Sequence, residues 1–118
     1  MSYLFVCYEK CSTCKKALAH LKEKGFDITV RPIKEDNPTK EELLVWSKES
    51  GLPLRKFFNT SGLIYKELGL SKKMDSLSDE EKLELLASNG MLVKRPILVG
   101  NNKVLIGYKK EQYEELGE

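Results

Sequence analysis

The sequence has 118 residues, 41% hydrophobic and 32% charged, with 20 Lys and Arg against 18 Asp and Glu and a net charge of +2. That length fits a single domain spanning residues 1–118, and the near-balance of charge argues against direct binding to nucleic acid, which calls for a strong basic excess. No apolar run approaches the roughly 18 residues of a membrane span, and Met1 to Cys7 lacks the basic start of a secretory signal, so a cytoplasmic protein with no membrane contact is expected.

In chain order, Tyr3 to Tyr8 are aromatic, β-branched and apolar and read as a short buried strand. Cys14, Ala17, Leu18 and Leu21 then recur at helical spacing, with Ser12 and Thr13 available as caps and Gly25 just past the end. Residues 27–31 form a second strand, stopped by Pro32. A crossover helix of this length favours a parallel strand pair.

The middle of the chain is helical. Thr39 with Glu42, and Ser78 with Glu81, each have the spacing of a capping box. The first opens a helix through Leu43, Leu44 and Trp46 that stops near Gly51. The second opens one through Leu83, Leu86 and Ala87 that ends near Asn89 and Gly90. Short turns or helices fall at Phe57–Phe58 and at Leu63–Leu68, the latter closed by Gly69. Trp46 is expected in the core.

The last quarter changes period. Pro96–Val99 and Val104–Ile106 are strands joined by a turn at Gly100, Asn101 and Asn102. Gly107 breaks the second strand, and residues 109–116 form a helix with Tyr113 and Leu116 on one face. The order is β-α-β, a helical insertion over about residues 38–90, then β-β-α, an α/β fold.

The chemistry concentrates in Cys11-x-x-Cys14, directly after a strand and at the start of a helix. First-turn backbone N–H groups have no intrahelical partner, and the helix dipole adds partial positive charge there. A Cys11 thiolate would be stabilised by them. Cys14 lies one turn along, within reach for a disulfide, and begins the apolar stripe. Cys14 is therefore the buried resolving thiol and Cys11 the exposed attacking one. Lys10, Lys15 and Lys16 add screened positive charge. Two other readings compete. Free cysteines often serve as small buried hydrophobes, the reading that suits Cys7 inside its strand. A structural zinc site wants four ligands, and only His20 is available beside the three cysteines. His20 sits on the flank of the helix and reads as a solvated surface residue, so no metal is expected.

Lys94-Arg95-Pro96 is the second feature. A proline at the start of a strand is tolerated, and a cis bond before it would tighten the turn. Arg95 is either an ordinary surface cation or a guanidinium fork beside the thiolate or an oxyanion; these residues alone leave both open.

The chain resembles the thioredoxin-fold arsenate reductase family, which includes glutathione-using arsenate reductases, Spx-type redox regulators of RNA polymerase and small members of undefined role. The resemblance is carried by Tyr8 to Lys15, Gly51 to Asn59, Tyr65 to Leu70, and Lys94 to Leu98. It implies a thioredoxin-like (glutaredoxin-like) core, with Arg95 and a cis Pro96 opposite the cysteines. It also implies a thiol–disulfide oxidoreductase with Cys11, Cys14 and Arg95 as catalytic residues, supported by Ser12, Thr13 and Pro96. No cofactor would be bound. Glutathione, thioredoxin or glutaredoxin would supply electrons. The family's arsenate reductases hold arsenate with three arginines. Arg95 matches one; near Asn59 and near Gly107, where the others fall, this chain has none. Lys56, Lys94 and Lys109 offer point charges instead. The alternative the resemblance offers is an Spx-type regulator whose Cys11–Cys14 disulfide alters binding to the RNA polymerase alpha subunit.

Overall fold

In the computed structural model, which describes residues 2–117, four strands form one mixed sheet. They are β1 (Ser2–Cys7), β2 (Asp27–Pro32), β3 (Ile97–Gly100) and β4 (Lys103–Ile106), in the order β2-β1-β3-β4. β1 runs parallel to β2 and antiparallel to β3, and β3 pairs antiparallel with β4. The crossover between β1 and β2 is α1 (Ser12–Glu23). This is the thioredoxin-like arrangement the resemblance implies.

Side chains alternate across β1. Tyr3, Phe5 and Cys7 face one side, where Cys14, Ala17 and Leu21 of α1 and Tyr113 of α6 (Lys110–Glu114) complete an apolar layer with Leu98 and Leu116. Val6 faces the other side, against Ile97, Val104, Ile106 and the intervening helices α2 (Lys40–Ser50), α3 (Leu63–Glu67), α4 (Leu70–Lys73) and α5 (Asp79–Ser88). Phe5, Phe57, Phe58 and Tyr113 are essentially sealed from solvent; burying one such ring contributes about 1.5–3 kcal/mol. Trp46 is 5% exposed and belongs to the core.

Both expected capping boxes form: Thr39 with Glu42, and Ser78 with Glu81. Gly51 closes α2 at φ 73°, a left-handed conformation that glycine adopts without Cβ strain. The boundaries differ from expectation by a residue or two at several elements, β3 (Ile97–Gly100) and β4 (Lys103–Ile106) among them. β1 starts at Ser2 and ends at Cys7. Pro32 is paired as the last residue of β2, opposite Cys7, because an edge position tolerates a residue with no N–H. The final helix is shorter than residues 109–116.

Two backbone contacts tie the helical segment to the stretch of chain that leads into β3. The Asn59 amide donates to Leu92 O at 2.8 Å, and the Lys94 amide donates to Phe57 O at 2.7 Å. They flank a bridge between Phe58 and Val93. The chain that follows, Asn59 to Ile64, is thereby set beside Lys94 and Arg95. The Arg95–Pro96 peptide bond is cis. The Gly107 amide donates to Pro96 O at 2.8 Å, placing the end of β4 against the same turn.

Candidate active site

Cys11 is itself the N-cap of α1, with extended backbone (φ −91°, ψ 120°). Its amide donates to Tyr8 O at 3.0 Å, and its carbonyl accepts from Lys15 N at 3.1 Å. The cap expected from Ser12 or Thr13 does not form; both side chains are exposed and neither bonds the helix start. A four-residue turn, Tyr8 to Cys11, joins β1 to α1, and its last residue takes the position a serine usually fills. The first-turn amides face a sulfur instead of a hydroxyl.

That placement divides the two thiols. Partial burial disfavours charge on Cys11, but the Cys14 amide and thiol, the Thr13 amide and the Arg95 guanidinium together outweigh it. The Cys11 thiol therefore ionises below its ordinary value. Cys14 is 3% exposed. Burial chiefly, and then the negative charge of Cys11 and Cys7, push its thiol up to about 12 despite the Tyr8 amide. The Tyr8 amide donates to Cys14 Sγ at 3.5 Å. Cys7 is also raised, by burial and by Cys11.

Arg95 is half-buried. Its guanidinium carbon stands 5.0 Å from the centre of the Tyr8 ring, in cation–π contact. Its Nε and Nη1 are buried without a hydrogen-bond partner. A neutral thiol gives a guanidinium little to bind; a thiolate or a bound anion supplies the missing acceptor. Arg95 thus stands beside Cys11.

Cys11, Thr13 and Arg95 line a cleft of about 700 Å³. Asn59 and Gly107 line it too, as do Lys94 and Lys109, whereas Lys56 and Ser12 do not. Gly107 has φ 75°, and a Cβ there would meet Lys94 Cε at 3.2 Å, so the backbone itself discourages a side chain at that point. The opposite wall is Ser61, Gly62, Leu63 and Ile64, with Leu63 76% exposed at the rim. Sequence reasoning passed over that wall; its only trace was the polar turn Asn59-Thr60-Ser61-Gly62 before an apolar helix start.

His20 is not the solvated residue expected from its helix flank. It shares a 2.8 Å hydrogen bond between Nδ1 and the Tyr108 hydroxyl and packs 5.8 Å, ring centre to ring centre, from Tyr113. Tyr108 also lines the cleft. Among the described residues no group of three or more His, Cys, Asp or Glu is placed to hold a metal ion.

Residues 7–116 match the ArsC family. The chain belongs to that family. Among ArsC relatives, it is 50% identical to the protein YusI of Bacillus subtilis (strain 168), over 98% of each chain. It is 32% identical to an arsenate reductase of Rhizobium meliloti (strain 1021), over 75% of this chain and 62% of the relative. A global transcriptional regulator Spx of Staphylococcus aureus shares 26% identity over 86% of this chain and 76% of the regulator. Among solved structures, an ArsC family related protein from Bacteroides fragilis superposes with a TM-score of 0.94 at 52% identity, over 98% of each chain. The ArsC membership and the thioredoxin-like fold thus agree with the resemblance carried by the motifs. No helix among the described residues is long and apolar enough to cross a membrane.

Proposed function

We propose that this ArsC protein is a cytoplasmic thiol–disulfide oxidoreductase in which Cys11 attacks, Cys14 resolves and Arg95 stabilises the anion. The observation that carries this reading is the opposite displacement of two thiols one helical turn apart, beside a guanidinium with unpartnered nitrogens. The Cys11 thiolate attacks one sulfur of a substrate disulfide and expels the other as a thiolate. This mixed disulfide cancels the charge on Cys11, one of the influences holding the Cys14 proton in place. Cys14 then loses its proton and attacks Cys11 Sγ, expelling the second substrate thiolate. The substrate gains two electrons and the chain is left with a Cys11–Cys14 disulfide. Two thiols from glutathione, or from a thioredoxin or glutaredoxin, return it to the reduced state. Thr13 contributes its amide, and Pro96 holds the Arg95 turn against Gly107 through its carbonyl.

Arsenate is a poor fit. The cleft offers one guanidinium, with Asn59 and Gly107 where the family's other two arginines fall. Each missing charge-assisted hydrogen bond costs about 1.5–3 kcal/mol, and Lys94 and Lys109 supply charge without the planar fork. The deciding assay couples reduction of a low-molecular-weight disulfide to glutathione and its reductase, with arsenate run in parallel. Disulfide turnover that disappears in Cys11→Ser, with no arsenate turnover, is the expected result. Undiminished turnover in Cys11→Ser would remove the nucleophile from this reading.

A second reading draws on the Spx relative and on the exposure of Leu63 beside the cleft, which suits a protein partner. Oxidation of the pair would then change binding to the RNA polymerase alpha subunit. Equal capture of purified alpha subunit by oxidised and reduced protein counts against it.

A further inference from the structure

Cys7 is the one thiol that the mechanism above leaves idle, and it does not lie apart from the other two. It ends β1 on the face that packs against α1, and it shares one buried layer with Cys14, while Cys11 packs at the edge of that layer. Cys14 Sγ lies 3.5 Å from the Tyr8 nitrogen, an atom two bonds from the Cys7 Cα. Cys7 is 7% exposed and opens onto a shallow cavity lined with Tyr8, Glu9, Val30, Pro32 and Glu35. The three cysteines share one apolar cluster, with Cys14 the member in contact with the backbone next to Cys7.

We infer that Cys7 is a second resolving thiol, which exchanges into the oxidised pair to form a Cys7–Cys14 disulfide and release Cys11. The inference rests on the oxidoreductase reading, because it begins from the Cys11–Cys14 disulfide. Cys7 loses its proton to solvent water through the cavity it lines, and its sulfur attacks Cys14 Sγ. The Cys7–Cys14 bond forms, the Cys11–Cys14 bond breaks, and the electron pair leaves with Cys11. One disulfide and one thiolate stand on each side of the exchange, so no outside oxidant or reductant is consumed. The direction follows from the leaving group: in thiol–disulfide exchange the sulfur that better carries negative charge departs faster. Cys11 is that sulfur, since the Cys14 and Thr13 amides and Arg95 receive its charge. Once released, Cys11 is again a nucleophile in a chain that is still oxidised. With Cys14 tied to Cys7, a disulfide formed between Cys11 and a partner has no neighbour to resolve it. The exchange turns a catalytic thiol into a covalent trap.

Trypsin reads the two disulfides apart. It cleaves after Lys10 and Lys15, so residues 1–10 carry Cys7 and residues 11–15 carry Cys11 and Cys14. The full chain is oxidised with a small excess of oxidised glutathione, blocked with N-ethylmaleimide at intervals, digested and sequenced by tandem mass spectrometry. The expected course is an early disulfide inside peptide 11–15. It then gives way to a link between the two peptides placed at Cys14, with the maleimide on Cys11. A lasting disulfide inside peptide 11–15 with the maleimide always on Cys7 overturns the inference and leaves the oxidoreductase reading standing. A link at Cys11 also overturns it. No intramolecular disulfide of any kind overturns both. Cys7→Ala should lower maleimide capture at Cys11 in the oxidised chain at least tenfold. Should that core substitution unfold the protein, Cys11→Ser decides: the same oxidant must then join Cys7 to Cys14 directly, and failure to do so overturns the inference.

Discussion

The Arg95 guanidinium lies over the Tyr8 ring, 5.0 Å from guanidinium carbon to ring centre. The contact positions the cation through its face, at about 0.5–2 kcal/mol, and uses none of its N–H groups. Nε and Nη1 remain without an acceptor beside Cys11. Tyr8 thus does two things at once: its ring steadies the cation, and its amide donates to Cys14 Sγ.

Removing the cation should make Cys11 less reactive. Arg95→Ala is expected to slow alkylation of Cys11 by iodoacetamide at pH 7 by about three- to tenfold, because less of the thiol is ionised. Arg95→Lys should fall between the two, keeping charge but not the fork. Alkylation rates measured across pH, with Cys14 replaced by Ser, check this. An unchanged rate profile would leave the helix-start amides as the sole source of activation.

Cys14→Ser should separate capture from release. The variant still attacks a disulfide at Cys11 but has no neighbour to resolve the product. A mixed disulfide with glutathione is expected to accumulate to near one per chain by intact-mass spectrometry. In the unmodified protein the same adduct is transient. Equal accumulation in both would assign resolution to an external thiol.

The absence of arginine at position 59 can be reversed. Asn59 lines the cleft, and its side-chain oxygen accepts from Ser61 Oγ at 3.2 Å. Asn59→Arg should strengthen the protection that arsenate gives Cys11 against alkylation by about tenfold, the worth of one charge-assisted hydrogen bond. No gain in protection would place residue 59 away from the bound anion.

Away from the cleft, Arg31 on β2 donates to both carboxylate oxygens of Glu42 on α2, at 2.6 and 2.9 Å. Those bonds chiefly, against the cost of burial and with help from the Thr39 amide, hold the Glu42 carboxyl down at about 2. An unfolded glutamate titrates near about 4.3. The stabilisation is therefore complete above that pH and is lost as pH falls through the folded value. Glu42→Gln should cost about 1–2 kcal/mol at pH 7, with the one-third exposure of Glu42 moderating the loss. Urea unfolding should show the gap between the two proteins narrowing below about pH 4 and closing only as pH falls to about 2. A gap that does not depend on pH would make it a packing effect.

Local chemistry in the sequence accounts for much of this structure. The capping boxes at Thr39 and Ser78 and the stop at Gly51 involve residues within a few positions of each other, so spacing alone reveals them. Cys11 and Cys14 are likewise local. The role of Cys11 as cap was masked because Ser12 and Thr13 are the better capping residues, and only the register of strand into helix decides which position is used. The bond between His20 and Tyr108 joins residues 88 positions apart. The cleft wall at Ser61–Ile64 is fixed by backbone pairing between segments around Phe58 and Val93. The first relation has no periodic or compositional signature, and the second leaves only the polar turn at 59–62.

The cation that faces Cys11 comes from the turn before β3, near the other end of the chain. A nascent polypeptide emerging through α5 carries all three sulfurs but not yet this counter-ion. The Arg95 share of the stabilisation at Cys11 is therefore absent until the last two strands close the sheet, while the helix-start share needs only residues 11–15.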